Sequence, residues 1–534
     1  MQQINAIIKP ADFIATPVFI AASMALICAF LFHGAELFNF SINADEEHVL
    51  GRIPGAIYAL TGRWGVYLAS LFVLPEQIFP ITSLAICLST FAASFALLVN
   101  KFQIRTWQSV VVAAPFFFGF PTLLYIFAYN NNSYALGLGI LSSTIALYIT
   151  DKRSLASFLA GSLLIGFGIS CYQAVLWFTM IIYSTDLLFW SIQEGRHRSV
   201  IRTIVWYITV LLGGMVVYLV VWTLFLWWFE SPVVYVDSYL HLQALVDSPL
   251  TIVSRTMSQV KQIYFGSSPV FMGQNLYYRL LMIAFTGIVA WYGFRTKRIW
   301  IIALLLSMLF VPFLQYPTSL GYMPFRTLVG VPVATAVMAL FATEVAPDWI
   351  RRWVLLPLAL LLIIEFSAIN NRQYYAGMWG TERDKLLASE IVLRIQELAP
   401  GQKSFRIAVV GMGPHYDDVV VPAVPTSTLG ASLFSITGGN VNRITSFLRF
   451  VSPANFMPIN PFVPDSKLTP GYQEQCERIL VFAAKMPPWP VHGSIAQMGD
   501  AFVIKFSEPT PRQIQMACRG RQSQFCTGAN HGEQ

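Results

Sequence analysis

The stretch SINADEEHVLGR at residues 41–52 sets three consecutive carboxylates, Asp45, Glu46 and Glu47, beside His48 and Arg52. Adjacent acids repel one another, and repulsion together with burial raises a carboxyl pKa toward the range where it accepts a proton near neutrality. Such a group can deprotonate an attacking hydroxyl. His48 is a rival base on its ring pKa alone. Cations follow on the same stretch of chain or at comparable positions further on: Arg63, Arg255, Lys261, Arg279 and Arg326. Carboxylates and arginines at a lipid boundary suit the transfer of a sugar from a polyprenyl phosphate carrier. The carboxylate takes the acceptor's proton, and the arginines stabilise the charge developing on the departing phosphate. Isolated acids such as Glu76, Glu230 and Asp237 read more simply as solvated loop residues.

The elements that position these groups must be membrane elements. Of 534 residues, 56% are hydrophobic and only 11% charged, with a mean hydropathy of +0.59, far too apolar for a water-soluble fold of this length. Apolar runs near the ~20 residues needed to cross a bilayer recur as far as residue 369. They give eleven expected crossings: 13–37, 79–99, 109–129, 135–150, 155–171, 174–192, 203–229, 278–294, 299–315, 327–343 and 353–369. The first is too long for a signal-peptide core and lacks a small-x-small cleavage site, so it is expected to be retained.

The formal charge of +7 sits in short clusters between these runs, which argues for topology and against nucleic acid. Lys101 with Arg105, Lys152 with Arg153, Arg196 with Arg198 and Arg202, the 295–298 group, and Arg351 with Arg352 mark cytoplasmic connections by the positive-inside rule. The opposite connections include NNNSY (130–134), a tight turn at 171–173, and two long loops, 38–78 and 230–277. An odd number of crossings from an inside N-terminus carries the tail outside, into the periplasm of a bacterium. In the first long loop the run from His48 to Gln77 is aromatic but broken by Gly51, Pro54, Gly62 and Pro75, which predicts helices lying in the interface or folding back. In the second, Ser248 and Pro249 form an N-cap and N1 pair. Beyond them Leu250, Val253, Met257 and Val260 recur at helical spacing, leaving Arg255 and Lys261 among polar residues. This segment reads either as an interfacial helix meeting anionic headgroups or as a lid packed on the bundle.

The sequence thus divides into a membrane domain, 1–369, and a polar domain, 370–534. In the latter, 404–413, 478–484 and 500–506 read as buried strands and 381–398 as an amphipathic helix, predicting a small α/β domain. Its GMG at 411–413 lacks the rest of a dinucleotide fingerprint and reads as a turn, as does ITGGN at 436–440. HYDD at 415–418 reads as a solvated loop. Cys476, Cys518 and Cys526 fall in this domain, with Cys518–Cys526 one candidate bridge and Cys476 able to pair with either. A transporter would need charges near mid-span; Glu365 and Asp186 are the main exceptions to their absence. A lipid-linked-glycan polymerase or ligase is the other competing reading.

The acids after the first helix, GRW at 62–64, NNNSY before a Gly-rich helix, PFRTLVGVP at 324–332 and MPPWPVHGSIAQMGDAFVIKF at 486–506 together resemble the bacterial and phage glucosyl transferase II family of serotype-converting O-antigen enzymes. The resemblance runs in order over most of the chain. It implies a polytopic, GT-C type membrane glycosyltransferase that takes glucose, or a related hexose, from undecaprenyl phosphate and adds it to O-antigen or another surface glycan in the periplasm. It also implies two partners, a small flippase and a cytoplasmic glycosyltransferase that loads the lipid. The family's acidic pair falls on Asp45 and Glu46, its arginine motif on Arg63 and its late basic residue on Arg326. Where the family often has two aspartates, this chain has Asp, Glu, Glu. Successive side chains point apart, so the pair should divide the work: Asp45 as general base, Glu46 holding acceptor hydroxyls or Arg63. Some GT-C relatives hold a divalent metal at such acids, and the sequence offers no closed ligand set.

Overall fold

The computed structural model describes residues 17–39, 41–43, 46, 56–74, 80–192, 200–230, 246–319, 323–414, 429, 431–462 and 470–518. The chain divides into two compact units. One comprises Met1–Phe40, Pro54–Arg372 and Val424–Thr426, the other Ser41–Ile53, Gln373–Ala423 and Ser427–Gln534.

The first unit is helical: α1 Pro17–Phe38, α2 Ala56–Leu60, α3 Trp64–Phe72, α4 Pro80–Lys101, α5 Trp107–Gly119, α6 Ser133–Ile149, α7 Leu155–Cys171, α8 Val175–Ile192, α9 Val200–Trp228, α10 Pro249–Tyr264, α11 Leu276–Arg295, α12 Ile299–Phe310, α13 Gly330–Val345 and the start of α14, Leu356–Leu398. Among the described residues eight helical segments are long and apolar enough to cross a bilayer, and the chain is a membrane protein. Three shorter apolar helices, Leu155–Cys171, Val175–Trp190 and Gly330–Val345, stand where the fifth, sixth and tenth crossings are expected. The 43 residues of α14 extend ~65 Å at 1.5 Å per residue. That is about twice a hydrocarbon core, so the polar half beyond Ile369 has no place in lipid.

Small residues let helices close without a hydrophobic drive between them. A Cβ on Gly213 of α9 would lie 2.4 Å from Ser162 Oγ of α7, and one on Gly214 2.5 Å from Ile165 Cγ2. Where α5 ends, Pro121 cannot supply the next helical N–H, and side chains satisfy carbonyls near the break: His33 Nε2 donates to Phe118 O at 2.8 Å and Asn370 Nδ2 to Gly119 O at 3.0 Å.

The structure accounts for both interior charges. Glu365 accepts the backbone N–H groups of Tyr277 (2.9 Å) and Tyr278 (3.1 Å), capping α11, whose N-cap Asn275 makes no side-chain cap bond. Asp186 accepts the Tyr207 hydroxyl at 2.5 Å and lies 3.6 Å from Lys101 Nζ, which also bonds Asp151. These are packing arrangements at helix ends, and they take away the feature that most favoured transport.

α10 begins where the Ser248–Pro249 pair predicts: Ser248 occupies the N-cap, without a side-chain cap bond, and Pro249 opens the helix. Ile252, Thr256 and Ile263 are its buried residues, while Leu250, Val253 and Met257 are exposed. Tyr264 and Tyr278 bond Leu309 O and Ile263 O. Glu36 is a buried residue of α1.

The second unit holds a four-stranded sheet in the order β2-β1-β4-β3, with β1 Ser404–Val410, β2 Asn455–Ile459, β3 Ile495–Met498 and β4 Ala501–Lys505. β1 pairs in parallel with both β2 and β4, and β3–β4 is an antiparallel hairpin. Helices α15 Val441–Val451, α16 Pro470–Ala484 and α17 Pro511–Cys518 complete it. Residues 478–484, expected as a strand, are the last two turns of α16. Cys476, Ile479, Leu480 and Ala483 bury one face at i, i+3, i+4, i+7, the helical period.

Past β1 the direction of strand addition reverses, the place where open parallel sheets bind ligands. Here that crevice is filled. A Cβ on Gly411 would lie 2.3 Å from Ser507 O, Met412 N–H donates to Ser507 Oγ at 2.9 Å, and Gln513 Nε2 donates to Gly411 O (3.3 Å) and Gly438 O (2.8 Å). The GMG is a turn, and its backbone is committed to the protein. HYDD lies outside the described residues. Cys476 is buried and its thiol donates to Asn460 O at 3.6 Å, and Cys518 is disulfide-bonded to a partner outside the described residues.

Candidate active site

The GRWG segment is a turn that only glycine allows at two points. Gly62 has φ +79°, and a Cβ there would meet Tyr218 Oη at 2.4 Å; a Cβ on Gly65 would meet Ser170 Oγ at 2.4 Å and Cys171 N at 2.8 Å. The turn therefore sits directly on the C-terminus of α7 and on α9. Trp64 Nε1 donates to Tyr218 O and Trp222 Nε1 to Leu60 O, each at 3.2 Å, locking it from both sides. Between the glycines, Arg63 N–H donates to Tyr58 O at 2.7 Å.

The Arg63 guanidinium lies over the ring of Tyr172, Cζ 5.5 Å from its centroid. The Tyr172 hydroxyl donates to Arg326 O at 3.1 Å. Arg326 Nη1 in turn donates to Tyr129 Oη at 2.6 Å, and its Cζ lies 5.4 Å from the Tyr129 ring centroid. Four side chains from four separate parts of the sequence thus form a continuous arginine–tyrosine series. Gln173 Nε2 ties the same turn to Thr61 O at 3.3 Å. Gln315 Nε2 braces the short helical turn of Arg326 by donating to Thr327 O and Oγ1, both at 3.1 Å.

NNNSY adjoins this series. Asn131 Nδ2 donates to the Tyr58 hydroxyl at 3.0 Å, and Ser133 shares a 2.9 Å hydroxyl bond with Ser83. Asn132 is the N-cap of α6, yet its side chain makes no capping bond. Among the described residues, the buried Arg63 Nε and Asn132 Oδ1 have no hydrogen-bond partner, an uncompensated cost that a polar ligand could offset.

The acid segment belongs to the second unit. Glu46 is fully buried; its Oε2 accepts Asn43 N–H at 2.9 Å, while Glu46 N–H donates to Asn43 O at 3.1 Å. This reciprocal pair ties the side chain and the backbone N–H of Glu46 to the backbone of Asn43. Ile42 N–H donates to Thr381 Oγ1 of α14 at 3.1 Å, fixing the segment to that helix. Asp45, Glu47, His48 and Arg52 lie outside the described residues.

Of the remaining expected cations, Arg255, Lys261 and Arg279 are exposed on α10 and α11. The contacts that join Arg63 to Arg326 do not involve them. Tyr129 and Tyr172 are the residues that reading the sequence missed. Their only signal is place: Tyr129 directly precedes NNNSY, and Tyr172 is the middle of the turn at 171–173. No group of three or more His, Cys, Asp or Glu able to hold a metal occurs among the described residues.

A model of the glucosyl transferase GtrII family matches residues 34–343, which include the acid segment, GRWG, NNNSY and Arg326. The chain belongs to this family. As a GtrII-family protein it is a membrane glycosyltransferase. No curated protein and no solved structure matches it. In this GtrII chain both basic residues carried over by resemblance, Arg63 and Arg326, meet on one tyrosine, whereas the arginine and lysine of α10 stand apart.

Proposed function

We propose that this GtrII-family enzyme transfers glucose, or a related hexose, from undecaprenyl phosphate to O-antigen or another surface glycan on the periplasmic side of a bacterial inner membrane, crossing it eleven times. Asp45 is the general base for the acceptor hydroxyl. Glu46 helps to hold the acceptor hydroxyls. Arg63 and Arg326 bind the donor phosphate and stabilise it as it departs. A small flippase and a cytoplasmic loading enzyme supply the lipid-linked sugar.

The observation that carries this reading is the meeting of Arg63 and Arg326 on Tyr172 within the family-matched span. Two further facts favour the orientation. NNNSY begins α6 beside this series, while the basic groups at Lys101 and Arg153 lie at the other end of the same bundle. The disulfide at Cys518 suits an oxidising compartment.

The test is transfer from a purified polyprenyl-phosphate-glucose donor to extracted O-polysaccharide, comparing wild type with Asp45→Asn and Arg326→Gln. Loss of one preorganised charge donor should lower kcat by about 10²–10³. Asp45→Asn should lower it by at least about 10². Wild-type rates in both variants, or efficient use of a sugar nucleotide in place of the lipid donor, would end the proposal.

A further inference from the structure

Tyr172 touches the two arginines through different atoms. Its ring face lies under the Arg63 guanidinium, and its hydroxyl bonds the backbone of Arg326. It is itself fixed: it caps the C-terminus of α7 in an extended conformation (φ −159°), its N–H donates to Gly168 O at 3.3 Å, and it is buried. Nothing else among the contacts described above reaches both arginines.

We infer that Tyr172 is a positioning residue that holds Arg63 and Arg326 as one paired cationic seat, tuned to the phosphate monoester that leaves rather than to the diester that arrives. The inference rests on the function proposed above. In the transfer the acceptor hydroxyl gives its proton to the Asp45 carboxylate, and its oxygen bonds the anomeric carbon. The bond from that carbon to the phosphate oxygen breaks, its electron pair staying on the phosphate. The donor's phosphodiester carries one negative charge, whereas the released monoester carries close to two near neutrality, its second pKa being about 6. A guanidinium held at the phosphate gains more once the second charge appears, and the gain arrives only as the bond breaks. Interactions of that kind raise kcat without tightening substrate binding. A free arginine side chain would lose rotamer freedom on reaching the same place. The ring of Tyr172 and the hydroxyl of Tyr129 remove that freedom in advance. The same seat should make the enzyme sensitive to inhibition by its own lipid product.

The experiment uses the full chain in detergent, with Tyr172→Phe, Tyr172→Leu, Arg63→Gln and Arg326→Gln. It reads kcat, KM for the lipid-linked hexose, and Ki for a short-chain prenyl monophosphate. Tyr172→Leu should lower kcat about tenfold and raise Ki about tenfold, with KM changed less than about twofold. Tyr172→Phe keeps the ring and loses the hydroxyl, and should give about a threefold change in kcat and Ki; it decides the matter alone if the leucine variant does not fold. Loss of active protein with Ki unchanged would mean a merely structural tyrosine. If the arginine variants raise Ki while both Tyr172 variants leave it as in wild type, the pairing is refuted and the phosphate site stands. If Ki is insensitive to Arg63 and Arg326 as well, the functional reading falls with it.

Discussion

Gly62→Ala tests whether the GRWG turn is built to carry Arg63. Gly62 has φ +79°, where an L-residue costs ~1–2 kcal/mol. The added methyl would also sit 2.4 Å from Tyr218 Oη, 3.4 Å from Gln173 Nε2 and 3.5 Å from Trp222 Cε2. Relieving such overlap between packed elements costs a further ~1–3 kcal/mol. The two together come to ~2–5 kcal/mol, less than the ~5–15 kcal/mol that typically separates folded from unfolded protein, so the variant should fold. It should lose several degrees of apparent Tm at fixed scan rate in detergent. Activity should fall further than stability, by about tenfold or more, because a displaced turn carries Arg63 off Tyr172 and an error near 1 Å at a site of charge stabilisation can cost ~10² in rate. The double variant Gly62→Ala/Tyr218→Phe removes the clashing oxygen but not the backbone strain. It should recover the steric share and leave ~1–2 kcal/mol. An alanine variant within ~0.5 kcal/mol of wild type and fully active would refute the reasoning, and a double variant no better than the single would show that the Tyr218 contact is not the cause.

The cap on α11 and the disulfide give two more. Glu365→Ala leaves the buried N–H groups of Tyr277 and Tyr278 without their acceptor and should cost ~2–4 kcal/mol. Glu365→Gln keeps one acceptor and should cost roughly half of that; thermal unfolding of the two side by side checks the order. Alkylation of the unfolded, unreduced protein followed by peptide mapping should label Cys28, Cys87, Cys171 and Cys476 but not Cys518, which should react only after reduction.

Much of the membrane unit is legible in sequence because lipid accepts only segments whose backbone bonds are internal and whose side chains are apolar. The runs that satisfy this can be counted by eye, and the basic clusters between them follow from charge alone. The helix at 381–398 is equally plain, since eighteen residues of one period leave no alternative. Shorter signals mislead. RILVFAA is one arginine and six apolar residues that suit a buried strand or a buried helix equally, and only the polar turns before it, which carry Cys476 on the same face, decide for the helix. In α10 periodicity alone does not say which face packs; the bonds of its own Tyr264 to Leu309 O and of Tyr278 to Ile263 O accompany the choice.

What the sequence determined alone was the solvent and the parts: long apolar helices, a polar α/β unit, and a set of candidate acids and arginines. Only the tertiary structure brought Tyr129 and Tyr172 to those arginines. Arg63 and Tyr172 are separated by more than a hundred residues, as are Tyr172 and Arg326, and neither periodicity nor local spacing carries information over such a distance. Close packing of glycines against the ends of α7 and α9 does, because it leaves a single place for each ring to lie.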